Sequence, residues 1–322
     1  MDELLPKVAE IDENEQLYFW AFGDLHYRAR LQWHALHSQR MAIMFQDLRS
    51  LWLNEGSPAF CVAPGDIVDT GALENYKLAK RDLAAQLGNI PFYPGIGNHE
   101  FHAEGKDDSK HTADEFSAFW NKPVRYSWTA GNVVCIMLDH PNPYALDEER
   151  EHPHVVLSEE ALAFLDTVMG EHPEHRAIIF AHCPLYDTVL DRDPEQNLDD
   201  DSHDTFFYIE NSQEVRSILA RHSNAILYIC GHTHSGWGSP NLIVTETLGS
   251  HPVTHVNLMS PWYTGVHRGP RLSSDRLSLE YYPDDPDVLA TFAIRVYPNS
   301  AVIGARDHRT RQWLAKWHVP LR

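Results

Sequence analysis

Leu17-Tyr18-Phe19-Trp20-Ala21-Phe22-Gly23-Asp24-Leu25-His26 is an apolar run that ends abruptly on a glycine, a carboxylate and an imidazole. Residues 17–22 read as a buried β-strand. At a strand end, side chains two apart point the same way, so Asp24 and His26 can face one point. The design recurs four times. Residues 60–64 lead into Gly65-Asp66, 91–96 into Gly97-Asn98-His99-Glu100, 177–181 into His182, and 226–230 into Gly231-His232-Thr233-His234. Ligands of open α/β sheets gather beyond the carboxyl ends of the strands. Strands that each deliver Asp, Asn or His at that edge can converge on a two-metal centre.

Between these runs the pattern switches to helical spacing. Residues 32–54 place Leu36, Met41, Met44, Phe45, Leu48 and Trp52 at helical intervals. Residues 73–87 follow the same period, with Leu83 and Leu87 four apart, and Ser158 is a candidate N-cap for a further helix. Alternation of this kind predicts an α/β layered domain. Two stretches break it. Residues 102–112 form a polar loop, and the acidic 187–205 contains Asp199-Asp200-Asp201, read either as a lid that repels polyanions or as a solvated insertion. Short β-like runs at 287–296, 301–305 and 312–319 predict a second, mostly antiparallel sheet that completes a sandwich over 253–322. Residues 1–16 read as an acidic arm, and 17–322 as one domain without a linker.

Composition narrows the partners. The chain has 322 residues, 43% of them hydrophobic, enough for a sizeable core. Its formal charge of −20 argues against a surface that coats nucleic acid. A small phosphorylated substrate stays compatible, because two divalent ions supply a local positive field. No apolar run approaches the roughly 18 residues of a membrane span, and the N-terminus lacks the basic and apolar regions of a signal peptide. The cysteines Cys61, Cys135, Cys183 and Cys230 lie in or beside strand-like runs without CxxC spacing. They read as reduced buried thiols, and so point to a cytoplasmic protein.

The chemistry follows from residue type. A carboxylate has two oxygens and can bridge two cations, so Asp66 is the natural shared ligand. Asn98 offers a neutral carbonyl oxygen. Its neighbour His99 points elsewhere in a turn and is better placed to donate a proton to a leaving oxygen or to steady a phosphoryl group. Glu100 can accept a bond from His99 and fix its tautomer. Any one motif alone competes with an ordinary turn carboxylate or hydrogen-bonded histidine; their joint order is what counts. Of the 21 histidines, His34, His37, His152, His154 and His172 are left to structural roles.

The ordered set D-x-H, G-D, G-N-H-E, H and G-H-x-H, covering 17–248, resembles the calcineurin-like metallophosphoesterase superfamily, in its bacterial phosphodiesterase and small-substrate branch. The resemblance implies a four-layer αββα sandwich, two packed mixed sheets with flanking helices. It implies that Asp24, His26, Asp66 and His234 hold one ion, that Asp66, Asn98, His182 and His232 hold a second, and that His99 is catalytic. It further implies in-line attack of an activated water on phosphorus. Mixed nitrogen and oxygen ligation without thiolate suits Mn, Fe, Zn or Co.

Departures from the family narrow the substrate. Phosphoprotein phosphatases of the superfamily carry phosphate-gripping arginines where this chain has Thr70 and Ile96, and purple acid phosphatases carry a metal-binding tyrosine where it has Asp69. The expected activity is hydrolysis of a phosphodiester or pyrophosphate bond in a small, nucleotide-like substrate. The alternatives are a phosphomonoesterase with the same centre and a non-catalytic scaffold. Residues 260–268, with Trp262, Tyr263 and Arg268, either line the pocket and stack a base or form a turn between sheets. Arg268 or Arg271 would restore a phosphate clamp if 260–271 folds over the centre.

Overall fold

In the computed structural model, residues 15–103, 111–142, 154–189, 207–265, 269–281 and 287–322 are described. The first half of the chain runs β1 (Leu17–Ala21), α1 (Leu31–Glu55), β2 (Cys61–Ala63), α2 (Leu73–Leu87), β3 (Phe92–Pro94), α3 (Ala113–Trp120), β4 (Tyr126–Ala130) and β5 (Val133–Met137). The second half runs α4 (Glu159–Glu171), β6 (Arg176–Phe180), α5 (Ser212–Arg221), β7 (Ala225–Cys230), β8 (Ile243–Leu248) and β9 (His251–Asn257). It continues through a short hairpin, β10 (Arg271–Leu272) and β11 (Leu279–Glu280), into β12 (Ala290–Val296), β13 (Ser300–Asp307) and β14 (Gln312–Pro320).

Two six-stranded mixed sheets result, ordered β14-β13-β12-β1-β2-β3 and β4-β5-β6-β7-β9-β8. Within them β1, β2 and β3 are mutually parallel, as are β5, β6, β7 and β9. Strand alternation sorts the layers. Leu17, Phe19 and Ala21 of β1 pack between the sheets with Val62, Ile178, Phe180, Ile229, Phe292 and Ile303. Tyr18, Trp20 and Phe22 point the other way, onto Met44, Phe45, Leu48 and Trp52 of α1 and Leu83 and Leu87 of α2. On the far sheet, Val134, Ile136, Ile179 and Tyr228 pack under Leu165 and Met169 of α4 and Leu219 of α5. This is the expected αββα sandwich. All four cysteines are free and buried. No helix among the described residues is long and apolar enough to cross a membrane.

Three expectations need correction. The C-terminal strands do not build a sheet of their own: β12 pairs antiparallel with β1, so β12–β14 extend the sheet that holds β2 and β3. The other sheet consists of β4–β9, and β9 is the only part of 253–322 that belongs to it among the described residues. Of the polar loop at 102–112, residues 104–110 lie outside the described residues; Thr112 is the N-cap of α3, which the sequence reading missed. The signal was present as a T-x-x-E capping box, with Thr112 and Glu115 satisfying each other's backbone N–H. In α1 the inward face carries Trp33, His37 and Arg40 at its first turns, while Leu36 is only half-buried. The arm at 1–16, apart from Glu15 and Gln16, and 190–205 of the acidic stretch lie outside the described residues.

A buried polar chain ties α1 to the first sheet. Trp20 Nε1 donates to Thr291 Oγ1 at 2.7 Å, so the threonine proton is directed to His308 Nε2, also at 2.7 Å. His308 therefore donates from Nδ1 to Asp47, at 2.9 Å, while Arg306 adds two bonds of 2.6 and 2.9 Å to the same carboxylate. Burial alone would raise the Asp47 pKa, but the bonds from His308 and Arg306 outweigh it and hold the group at about 2. Asp47→Ala leaves the buried Arg306 cation uncompensated, and its expected cost is about 3–5 kcal/mol in urea unfolding. The folded pKa lies below the unfolded value of about 3.9. The Asp47 contribution is therefore full above about pH 4 and lost as pH falls towards 2, a slope that the Asp47→Ala protein lacks.

Candidate metal centre

The strand ends deliver their side chains to one edge of the sandwich, and the described residues gather there in three overlapping groups. Asp24, His26, Asp66 and His234 form one, Asp66, His182 and His232 a second, and His26, Asp69 and His99 a third. Every one of these side chains is buried. Asn98 joins the second group, its Oδ1 lying 3.0 Å from His182 Nε2.

Unusual backbone aims these groups. His26, Asp66, His232 and His234 have φ of 49°, 50°, 71° and 50°. Left-handed conformation costs a non-glycine residue roughly 1–2 kcal/mol, so the surroundings must enforce it. They do: His26 N donates to Asp66 O at 2.9 Å, Tyr27 N to Ile67 O at 2.8 Å, and Asp69 N to Tyr27 O at 3.0 Å, lacing two of the turns together. Close approach also demands missing side chains. A Cβ on Gly65 would run into the His182 ring, and one on Gly97 into the Asp66 carboxylate.

Asp66 stands between the first two groups. Its Oδ1 lies 3.3 Å from His182 Nε2 and accepts the His99 N–H at 2.9 Å, while its Oδ2 lies 3.8 Å from His26 Nε2. Burial works to raise its pKa, but His182 and its imidazole neighbours prevail and hold Asp66 well below the usual carboxylate range. Asp24 goes the other way, raised by burial. For His182, burial is outweighed by Asp66, which pushes the imidazole up to about 8.

Several observations suit a pair of cations. His26 Nε2 faces His234 Nε2 at 2.9 Å, and His232 Nδ1 faces His182 Nε2 at 3.1 Å, so ring nitrogens able to act as ligands once deprotonated converge in two pairs. Asp24 Oδ2 is buried without a hydrogen-bond partner. The donors are imidazole, carboxylate and amide oxygen, while the adjacent Cys183 and Cys230 thiols are pushed up by burial and stay neutral. Such a donor set fits borderline to hard divalent ions.

His99 is anchored differently from the sequence expectation. Glu100 does not hold it. Instead Glu100 accepts backbone N–H bonds from Asp66, Ile67, Val68 and Gly97 at 3.0, 2.8, 3.2 and 2.6 Å, stitching two site turns together. Burial, with Asp66 acting in the same sense, pushes the Glu100 carboxyl up to about 8 against the pull of these donors. His99 Nδ1 donates to the Asp69 carbonyl at 2.8 Å, leaving Nε2 to face the centre, 4.0 Å from Asp66 Oδ2. Burial depresses the His99 imidazole to about 3, so it is neutral with its lone pair on Nε2.

The segment after β9 folds against the centre. Ser260 Oγ donates to Asp24 O at 2.7 Å, and the Tyr263 ring stacks on His234 with centroids 4.3 Å apart. Trp262 packs instead on Trp33 and His37, and Arg268 lies outside the described residues. Of the histidines left to structural roles, His37 is buried with its ring nitrogen on the Leu25 carbonyl, at 2.6 Å. Sequence reading missed Arg28 and Arg276. Arg28 Nη1 meets Asp69 Oδ2 at 2.8 Å, and Arg276 Nη2 meets Asp69 Oδ1 at 3.4 Å. Arg28 had a local signal, two residues beyond His26; Arg276 had none.

The sequence model of the calcineurin-like phosphoesterases matches residues 17–236, a span that runs from before Asp24 to beyond His234. The chain belongs to the calcineurin-like phosphoesterase family. A probable glycerophosphodiester phosphodiesterase of Arcobacter nitrofigilis is 25% identical over 181 residues, 55% of this chain. That match spans 57% of the relative's length. The manganese-dependent ADP-ribose/CDP-alcohol diphosphatase of Mus musculus is 25% identical over 323 residues, covering 80% of this chain and 86% of its own. A dimetal phosphatase from Danio rerio shares the fold, with a TM-score of 0.62 at 15% identity over 96% of this chain and 100% of the other.

Proposed function

We propose that residues 17–322 act as one dinuclear, metal-dependent phosphoesterase domain that hydrolyses a phosphodiester or pyrophosphate bond of a small, nucleotide-like substrate. In this reading Asp24, His26, Asp66 and His234 hold one ion, and Asp66, Asn98, His182 and His232 the other. The observation that carries it is the placement of Asp66, whose two oxygens face different donor groups. Family membership and two relatives named for cleaving a glycerophosphodiester and diphosphates support the substrate class. A manganese-dependent relative favours Mn among Mn, Fe, Zn and Co. The buried free thiols support a reducing, cytoplasmic setting.

When bound, the ions supply Lewis-acid polarisation of phosphoryl oxygens and a lowered pKa for water. The chain supplies position and proton handling. Asp69 O takes the Nδ1 proton of His99 and thereby directs Nε2 to the reacting group. Nε2 carries the lone pair, so it is the atom that takes up the proton released by the attacking water and hands it to a departing alkoxide. The buried walls exclude bulk water and strengthen each of these interactions.

A phosphomonoesterase is the second reading, and Arg28 with Arg276 is the observation that favours it. Thr70 and Ile96 bring no cation, yet these two arginines reach the same neighbourhood from elsewhere in the chain. A non-catalytic scaffold has no use for the converging donors or for a directed His99.

The metal reading is tested by elemental analysis. Reconstituted wild type is expected to hold about two ions per chain, and Asp66→Asn at most one, because both groups share that carboxylate. Two tightly held ions in the variant would refute the bridging role. For His99→Ala, metal content stays near wild type while turnover of an alkyl diester drops roughly 10²–10⁴-fold. Nitrophenyl esters, which depart without a proton, should lose far less. Equal losses would assign His99 to orienting phosphate. The diester reading requires a higher kcat/KM for bis-p-nitrophenyl phosphate than for p-nitrophenyl phosphate at one metal loading, and a tenfold reversal would establish the monoesterase.

A further inference from the structure

Beside His99 opens a cavity of about 350 Å³, lined among the described residues by Arg28, Asp69, Thr70, Phe101, His102 and Arg276. It is contiguous with the centre, since Asp69 O anchors His99 and the His102 ring lies 4.1 Å from the His99 ring. Among the described lining residues two guanidinium groups converge on one carboxylate, on a protein of formal charge −20.

The two cations are held in different ways. Arg28 is nearly buried, lies over the Trp33 ring at 5.6 Å, and forms a 2.8 Å pair with Asp69. Arg276 reaches Asp69 only at 3.4 Å and keeps a side-chain exposure of 49%. The turn that presents it is built for the purpose. Arg276 itself has φ of 55°, and the turn is closed by Arg276 N to Ser273 O at 2.7 Å and Ser273 N to Ser278 O at 3.0 Å. Ser273 Oγ donates to Asp275 at 2.6 Å within it. A half-exposed guanidinium fixed at a cavity mouth, with donors to spare, is suited to bidentate recognition of an oxyanion.

We propose that Arg28 and Arg276, braced by Asp69, form a subsite for a second phosphate of the substrate, on the leaving-group side of the scissile bond. This rests on the phosphoesterase reading above and deepens it to diphosphate diesters. Water adds to the phosphorus at the centre and gives up a proton as the new O–P bond forms. The bridging P–O bond breaks, and its electron pair leaves with the second phosphate, whose charge the arginines neutralise. The products are two phosphate monoesters, and no proton is needed by so acidic a leaving group.

The test compares the p-nitrophenyl esters of thymidine 5′-monophosphate and thymidine 5′-diphosphate, which differ by one phosphate, with products separated chromatographically. Arg276→Gln is expected to lower kcat/KM for the diphosphate about tenfold, as loss of one charge-assisted bond implies, and to change the monophosphate less than twofold. Arg276→Lys should recover part of the loss. Equal effects of Arg276→Gln on both esters, or none on either, would overturn the subsite and leave the hydrolase reading standing. Metal-loaded wild type that cleaves neither ester would overturn both.

Discussion

Two carboxylates, Asp24 and Asp66, are buried where two sheets meet, and the rest of the architecture answers to that burial. Removing carboxylates from water is costly unless positive charge and hydrogen bonds meet them. Here backbone N–H groups of His99 and His232 take one oxygen of each, at 2.9 Å in both cases, and imidazoles crowd the remaining faces. Among the described residues Asp24 Oδ2 has no hydrogen-bond donor. Strained turns, collision-tight glycines and facing imidazole nitrogens follow from gathering these groups so closely. A pair of divalent ions is the charge that such a shell suits.

The same constraint explains which parts of the molecule were legible in the sequence. Strands β1, β2, β6 and β7 are short and almost wholly buried, and β3 is short and partly buried. All but β6 lead within a few residues to a glycine followed by a ligand-type residue, while β6 leads to His182 without one. Both their existence and their direction could therefore be read from local pattern. Helix α2 coincides with the span expected from its period. The C-terminal strands also announced themselves, but not their neighbours. Partner choice in a sheet is a long-range property, and nothing local in 290–296 says that it pairs with 17–21 and not with another strand. Helix α3 was missed because its 8 residues are too few to display a helical period, although its capping box was written in Thr112 and Glu115.

Within the site, residues that lie at strand ends were found, and residues that support them from elsewhere were not. Glu100 sits in a recognised motif, yet its role as an acceptor for N–H groups on two separate turns depends on how those turns fold around it. Asp69 was noticed only as a departure from a relative's pattern. Its backbone carbonyl directs His99, while its side chain gathers Arg28 and Arg276. Arg276 is 207 residues from Asp69 in sequence and lies on a turn of no distinctive composition. Contacts of that separation carry no local signature.

Charge bears on the substrate class proposed for the site. A formal charge of −20 repels extended polyanions over distances comparable to the Debye length, about 8–10 Å at physiological salt. At the edge of the sandwich, Arg28 and Arg276 both reach the Asp69 carboxylate, the two cations on which the proposed anion subsite rests. Buried surroundings strengthen such pairs, since the same charges interact more strongly where water is displaced. Asp69 is the hinge of this arrangement. It holds His99 through its carbonyl and both arginines through its carboxylate, so the positions of the imidazole and the two guanidinium groups are tied to one residue.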